Sequence, residues 1–518
     1  MSAAIRGPLD RHIDSSVSPT DKRAGVSQAH GSGGPNSAFV NVKPYSVFTS
    51  TEKWVIVVIV SCAGMFSPLT ANIYFPAIPL MVDAFHKSTE LINLTITIYM
   101  VMQGLSPMLW GTLSDRWGRR PMFIGCMVTL ALSCVGLALV PTSAYWLLML
   151  LRCLQAFGSA SSIALAGGVI GDIATRAERG GFIGFFAVGP MVGPSIGPII
   201  GGGLAQSLGW RSIFWFLCIT SGICAVVMLL ILPETLRAIV GDGGVIPPPI
   251  YRPLIPVVAR KIPRDSERPP HKPFRNPLLL FTYPDVIVLL VFNGTLYSLF
   301  YAVTASISTL FEDAYPFLNT TDIGLCFLAI GGGMVIGTVL NGKLLDRDYQ
   351  VIRHELIRKL EDTKKEATLE DIIKEDKFPI EKARLRSTLV YSTLFVACSI
   401  GYGWCIQAKV SLAGPLILQV IIGFTIVSVM NTVQTLLVDL FPSQGSSITA
   451  CNNLIRCSLG AATVSVVDFI IQAVGAGWTY VILSGWCVAV FPLLCVELRY
   501  GPIWRERRRM KLGPVEND

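Results

Sequence analysis

The chain has 518 residues, 52% of them hydrophobic and only 15% charged, with a formal net charge of +8. Soluble domains carry about 25% charged residues, and here the charge is swept into a few loops, so an ordinary soluble globule is excluded. Windows such as WVIVVIVSCAGMFSPLTANIYFPAIPLM and GWCVAVFPLLCV suit helices across a bilayer, which need roughly 20 apolar residues, and are too continuous for the strands of a membrane barrel.

The first 53 residues are rich in Ser, Gly and charge and lack an apolar core, which predicts a disordered tail rather than a signal peptide. Twelve apolar windows follow. Six lie near 54–75, 91–112, 121–140, 145–169, 182–205 and 212–232, and six near 284–310, 322–342, 387–406, 412–436, 447–471 and 478–497. A basic, Pro-rich linker over 233–283 separates the sets, and it is expected neither to span nor to pack. The predicted architecture is all-α: bundles over 54–232 and 284–498, an insertion at 347–386 and a tail at 499–518. The insertion carries Leu356, Leu360, Leu369, Ile372 and Ile373 at helical spacing, which fits either an amphipathic surface helix or a solvated helical hairpin.

Lys and Arg orient the spans. With the N-terminus inside, the inner segments hold 37 of them and the outer loops only Lys87, Arg211 and Lys409, while Arg152 and Arg456 fall within spans. Both termini are therefore expected in the cytoplasm, and the sequon at Asn319 falls in an outer loop, where glycosylation is possible. Thirteen cysteines lie mostly in apolar segments, among them Cys62, Cys126 and Cys134, and none forms a CxxC pair. Neither a disulfide framework nor a metal site is suggested. No nucleophile–base constellation appears, so the reading is of a non-enzyme, without cofactor and without a nucleic-acid partner.

The turn between the second and third spans reads Gly111-Thr-Leu-Ser-Asp115-Arg116-Trp-Gly118-Arg119-Arg120. Its glycines allow a tight turn, Asp115 can pair across a helix interface, and its arginines suit an anionic leaflet. This stretch resembles the G-x-L-[ST]-D-R-x-G-R-[RK] signature of the major facilitator superfamily. The resemblance implies twelve helices in two pseudo-symmetric six-helix bundles, and a turn that latches the inner side shut. A partial copy, Gly342-Lys-Leu344-Leu-Asp346-Arg347, follows the eighth span and departs at Asp348-Tyr349-Gln350. That echo supports two related repeats. Gly337 to Lys343 has P-loop spacing, but Leu344 replaces the required Ser or Thr, which argues against ATP binding.

The fifth span places Gly184, Gly193, Gly197-Pro198 and Gly201-Gly202 in a pattern that resembles the G-x8-G-x3-G-P-x2-G-G motif of drug:proton antiporters. Glycines four apart let a neighbouring backbone approach, and Pro190, Pro194 and Pro198 are expected to kink the helix. Arg152 and Gln155, in the fourth span, resemble the family's R-x-x-Q-G pattern, with Ala156 where glycine is usual. The resemblance links that arginine to proton transfer. A central arginine costs roughly 2.5–3.5 kcal/mol on insertion scales, so it is expected to face a polar cavity. It cannot itself release a proton, and so would tune an acid or a water, hold an anion, or serve structure alone. VDLFPSQGSSITACNNLIR, containing Arg456, and LPETLR after the sixth span resemble the fungal twelve-spanner drug:proton antiporters.

Candidate cavity residues are Asn293, Tyr297 and Tyr301, recurring at i, i+4, i+8 on the seventh span, with Asn431 and Gln434 on the tenth. Asp468 is the carboxylate clearly inside a span, and with Arg152, Gln155 and Arg456 it completes the candidate proton-coupling set. The reading is a monomeric secondary transporter in the plasma membrane that exports a small organic compound (drug, toxin, metabolite or weak acid) in exchange for protons by alternating access. A facilitator or importer of a polyamine or organic acid, and a membrane sensor that does not transport, remain alternatives.

Overall fold

The computed structural model describes residues 46–255, 277–362, 378–441 and 444–512. The first half comprises α1 (Ser50–Asn72), α2 (Ile78–Phe85), α3 (Thr89–Trp117), α4 (Arg119–Leu139), α5 (Tyr145–Ser159), α6 (Ser162–Ile173), α7 (Arg176–Leu208) and α8 (Arg211–Ile231), followed by the one-turn α9 (Arg237–Val240). The second half comprises α10 (Pro284–Ala314), α11 (Thr320–Asp362), α12 (Ile380–Leu385), α13 (Thr388–Gln407), α14 (Ala413–Leu440), α15 (Gly445–Ala489) and α16 (Phe491–Leu512).

Local chemistry sets several boundaries. Thr49 and Glu52 form a capping box at the start of α1, as do Thr175 and Glu178 at the start of α7. Asn319 and Asp322 exchange backbone-to-side-chain bonds at the start of α11, so the exposed sequon asparagine also caps that helix. Among the described residues, eleven helical stretches are long and apolar enough to cross a membrane. The last of them covers two predicted spans, because α15 runs on through a kink at Gly475, φ 81°, between the eleventh and the twelfth. The fourth span is divided into α5 and α6 at Ala160-Ser161.

The halves repeat one packing scheme. In the first, α1 packs on α7, α3 on α5, and α4 on both α5 and α8. In the second, α10 packs on α15, α11 on α14, and α13 on both α14 and α15. Between halves the principal contacts are α3 with α15 and α7 with α11. This is the two-bundle fold anticipated from the sequence, and none of its thirteen cysteines is in a disulfide.

Two expectations need correction. The linker packs at both ends: Glu234, Leu236, Val240 and Leu280 are buried; residues 256–276 lie outside the described residues. The insertion does not begin as a separate surface helix, because α11 continues unbroken to Asp362; Leu369, Ile372 and Ile373 lie outside the described residues. Pro190, Pro194 and Pro198 do not interrupt α7, which is one helix of 33 residues.

The glycine pattern of α7 divides into two rows. A Cβ on Gly193 would meet Pro68 Cγ at 2.8 Å, one on Gly197 would meet Ile73 N at 3.2 Å, and one on Gly201 would collide with the Ile73 carbonyl. That row seats α1. The second row faces the other half: a Cβ on Gly202 would meet Thr320 O at 2.6 Å, and the partner glycine Gly324 sits equally close to Pro198 O. Gly184 has open space around it. Gly193→Val should therefore lower both efflux and detergent-solubilised melting temperature, while Gly184→Ala leaves both unchanged. Wild-type melting and efflux for Gly193→Val would refute the packing role.

Candidate binding site and gates

The mid-height of the first half is built around Arg152 on α5, 1% exposed. Its Nη1 donates to Gln155 Oε1 at 2.5 Å, and its guanidinium lies over the rings of Tyr74 (4.2 Å) and Tyr99 (4.5 Å). Cation–π contacts of this kind stabilise by roughly 0.5–2 kcal/mol. Tyr99 is fixed in turn by hydroxyl contacts to Thr70 (2.7 Å) and Ser159 (2.8 Å), and Tyr74 by Thr95 (2.9 Å). Arg152 Nε and Nη2 are buried without a hydrogen-bond partner. The cavity predicted for this side chain is thus a closed aromatic cage.

The second half holds a counterpart. Arg456 on α15 is half-buried, donates to Asn453 Oδ1 at 2.7 Å and lies over the Tyr297 ring at 4.5 Å. Its Nε is buried and unpartnered. Asn453 donates onward to Gln103 O of α3 at 2.8 Å, which ties this cluster to the other half. Tyr297 and Tyr301 lie ring to ring at 4.6 Å. Asn293, one turn away, donates to Asn452 Oδ1 at 2.9 Å; Asn452 donates to Gln434 Oε1 at 2.7 Å, and Gln434 to Thr449 Oγ1 at 2.8 Å. The α10 stripe thus contributes to two neighbouring polar groups: Asn293 reaches Gln434 through Asn452, and Tyr297 lies under Arg456. Asn431 sits half-exposed one turn before it on α14. Both guanidiniums rest on neutral groups, and a desolvated cation without a counter-ion favours an anionic ligand.

Asp468 lies elsewhere, near the end of the bundle opposite the Asp115 turn. It is 6% exposed and accepts from Asn93 Nδ2 of α3, across the seam between halves. Glu90 and Gln472 pair one turn further out, Thr97 and Ser465 join at 2.9 Å, Phe75 stacks on Phe327 at 6.1 Å, and Thr320 N donates to Gln206 Oε1 at 2.9 Å. These bonds close the seam from that end down to mid-height.

At the end carrying the basic loops, Asp115 does not reach the other half. It pairs with Arg119 of its own turn at 2.7 Å and its side chain is 64% exposed. Exposure is the physical reason: among the described residues, no ion pair joins the second half to Asp115. Arg119 also reaches Asp172 Oδ2 (3.0 Å) and Ser114 Oγ (2.7 Å). Arg116 is exposed, and Gly111 is unconstrained by neighbours. Gly118 has φ 101°, and a Cβ there would strike the Glu234 carboxylate.

Sequence reasoning missed Glu234. Its carboxylate accepts from the amides of Arg119 (2.8 Å), Arg120 (3.2 Å), Thr235 (2.9 Å) and Leu236 (2.9 Å). Burial pushes this carboxyl above its usual range, while the amide donors pull it back. Arg120 reaches the carbonyls of Leu232, Ile250 and Leu229. At the base of α1, Lys53 pairs with Glu178 at 2.7 Å and holds it below the ordinary carboxylate range. The clue to Glu234 was an acid directly after the proline that ends the sixth span.

A family model, Major Facilitator Superfamily, matches residues 60–465. Citrate exporter 1 of Aspergillus niger is 39% identical over 482 residues, covering 92% of this chain and 91% of its own. MFS antiporter QDR2 of Candida albicans is 35% identical over 456 residues, covering 86% and 88%. The solved human organic anion transporter MFSD10 (TETRAN) shares the fold at a TM-score of 0.53 and 16% identity, over 85% of this chain and 99% of that one. The helical architecture and these relatives together define a multi-pass secondary active transporter. The chain belongs to the Major Facilitator Superfamily.

Arg152→Ala should abolish efflux with surface expression intact, because the cage loses its cation and leaves Gln155 Oε1 without its donor. Normal efflux per surface molecule would show that the arginine serves packing alone.

Proposed function

We propose that the chain exports a small organic anion from the cytoplasm in exchange for protons, as a monomer in the plasma membrane with both termini cytoplasmic. The observation that carries this reading is the pair of guanidiniums, Arg152 and Arg456, embedded at mid-height on neutral partners with donor nitrogens left over. A carboxylate of the cargo supplies the counter-charge. The tyrosine stripe of α10 and the amides around Asn293 and Gln434 accommodate the rest of an amphipathic weak acid. The names of the relatives, a citrate exporter and an antiporter, support the same direction.

In this reading the structure is an inward-open state: the Asn93–Asp468 seam is sealed and the Asp115 turn is disengaged. Cargo enters from the cytoplasm and binds between the two cages. The halves then rock, the turn closes the inner side, and the outer seam parts. Asp468, freed from Asn93, meets the outer solution and takes up a proton, which lets a neutral side chain return into the seam beside Glu90. Re-closing the outer seam carries the proton in on Asp468; in the inward-open state the proton then passes to the cytoplasmic side, which leaves Asp468 ionised for the next cycle and makes one proton enter per return.

Cells expressing the chain and loaded with a panel of fluorescent weak acids should extrude them, and a protonophore should stop extrusion. Arg456→Gln should raise KM for the anionic probes by about tenfold and leave a neutral probe of the same size unaffected. Energy-independent accumulation would favour a facilitator, and equal effects on charged and neutral probes would refute the anion site. Asp468→Asn should leave efflux insensitive to external pH; a retained pH response would remove Asp468 from the coupling.

A further inference from the structure

The second half repeats the packing of the first, yet the copy of the charged turn after α11 stops at Arg347 and lacks the arginines that follow the glycine in the first half. We propose that the arginine is displaced rather than lost: residues 348–383 are an insertion spliced into that turn, and Arg384, arriving beyond it, does in the second half what Arg119 does in the first. This rests on the alternating-access reading and names a gating part that the reading did not contain.

Three observations carry it. Arg119 Nε meets Asp172 Oδ2 at 3.0 Å, and Arg384 Nε meets Asp439 Oδ2 at 3.0 Å. The same nitrogen and the same class of carboxylate oxygen are used, and both pairs are partly buried. The chain distance also agrees: 53 residues separate Arg119 from Asp172, and 55 separate Arg384 from Asp439. Each arginine precedes the third span of its half, and each aspartate closes the fourth, so two spans are threaded between the partners in both cases.

The third observation is how the insertion begins and ends. Tyr349 and Phe378 lie ring to ring at 4.9 Å, and Ile352, Phe378 and Ala383 form a small buried cluster of their own. Arg384 lies over the Tyr349 ring at 5.3 Å, and Ser387 Oγ donates to Asp348 Oδ2 at 2.5 Å. The chain leaves the turn at Asp348 and returns beside it at Arg384. An added segment whose two ends meet leaves the parent turn's geometry in place. Had the arginine been lost, Asp439 would stand at the end of α14 without this brace.

An isolated exposed ion pair contributes about 0–1 kcal/mol, so the alternative is that Arg384–Asp439 is an incidental surface contact. The repeated atoms, separation and position in the fold argue for a brace instead. Arg384 is then a positioning residue. It ties the end of α14 to the turn after α11, as Arg119 ties the end of α6 to the turn after α3. Closing the inner side therefore engages a braced turn from each half.

The test compares Arg384→Ala, Asp439→Asn and the charge swap Arg384→Asp/Asp439→Arg with Arg119→Ala, using Arg386→Ala as the control, since Arg386 is exposed. Efflux per surface molecule should fall about tenfold in both single variants, as it does when one partner of a buried pair is removed. The swap should recover most of it, and Arg386→Ala should be neutral. A second readout needs no cargo: the distance between spin labels placed at Leu109 on α3 and Val339 on α11 by genetically encoded amino acids. Arg384→Ala should move that distribution towards the wide, inner-open separation, as Arg119→Ala does. If Arg384→Ala gives the same distance distribution and efflux as Arg386→Ala, the inference is overturned. Because the distance readout is independent of transport, its failure is separable from failure of the export reading.

Discussion

Two arginines sit at mid-height in an apolar bundle, and the structure around them exists to make that tolerable. A cation removed from water needs partners, and removing a partner from such a group costs about 3–5 kcal/mol. Here the partners are aromatic faces and amides. Tyr74 and Tyr99 sandwich Arg152, and Tyr297 covers Arg456. Each tyrosine of the first cage is then pinned by hydroxyls from α1, α3 and α5. Neutral partners leave the positive charge uncancelled, so the same arrangement that stabilises the arginines reserves their free donors for a ligand.

Alternation demands that these cages be joined along a seam that can part. Glycine supplies the closeness without interlocking side chains. One row on α7 holds α1 within its own half, while Gly202 meets Gly324 of the other half almost backbone to backbone. At the end opposite the basic loops the seam, among the described residues, is finished by amides, hydroxyls and one sealed carboxylate rather than by salt bridges. Hydrogen bonds to neutral groups contribute about 1 kcal/mol each, which is strong enough to hold a state and weak enough to leave it. At the end carrying the basic loops the charged turn stays braced by Arg119 and Glu234, while Asp115 pairs with Arg119 of its own turn.

Much of this was legible in the sequence, and the reasons differ by element. The spans announced themselves because a bilayer forces continuous apolar runs. The glycine row of α7 was readable because spacing alone fixes which face glycines share. The α10 stripe appeared for the same reason, and its residues do contact Arg456 through Tyr297 and Gln434 through Asn452. Glu234 was not legible, since two of its four amide donors, those of Arg119 and Arg120, are brought to it from a turn far off in the chain. Nor were Tyr74, Tyr99 and Asn93, which lie on helices other than those of the charges they serve. The linker was misjudged because its proline content hid the buried contacts of Leu236 and Val240.

The most direct measurement uses purified protein in vesicles that trap a pH-sensitive dye, with an organic anion such as citrate on the inside. Adding external acid should drive anion release with matching internal acidification, and at low anion concentration both should fall together by about tenfold in Arg456→Gln. Anion release without any proton movement, or proton movement indifferent to the anion, would contradict exchange through a cationic site.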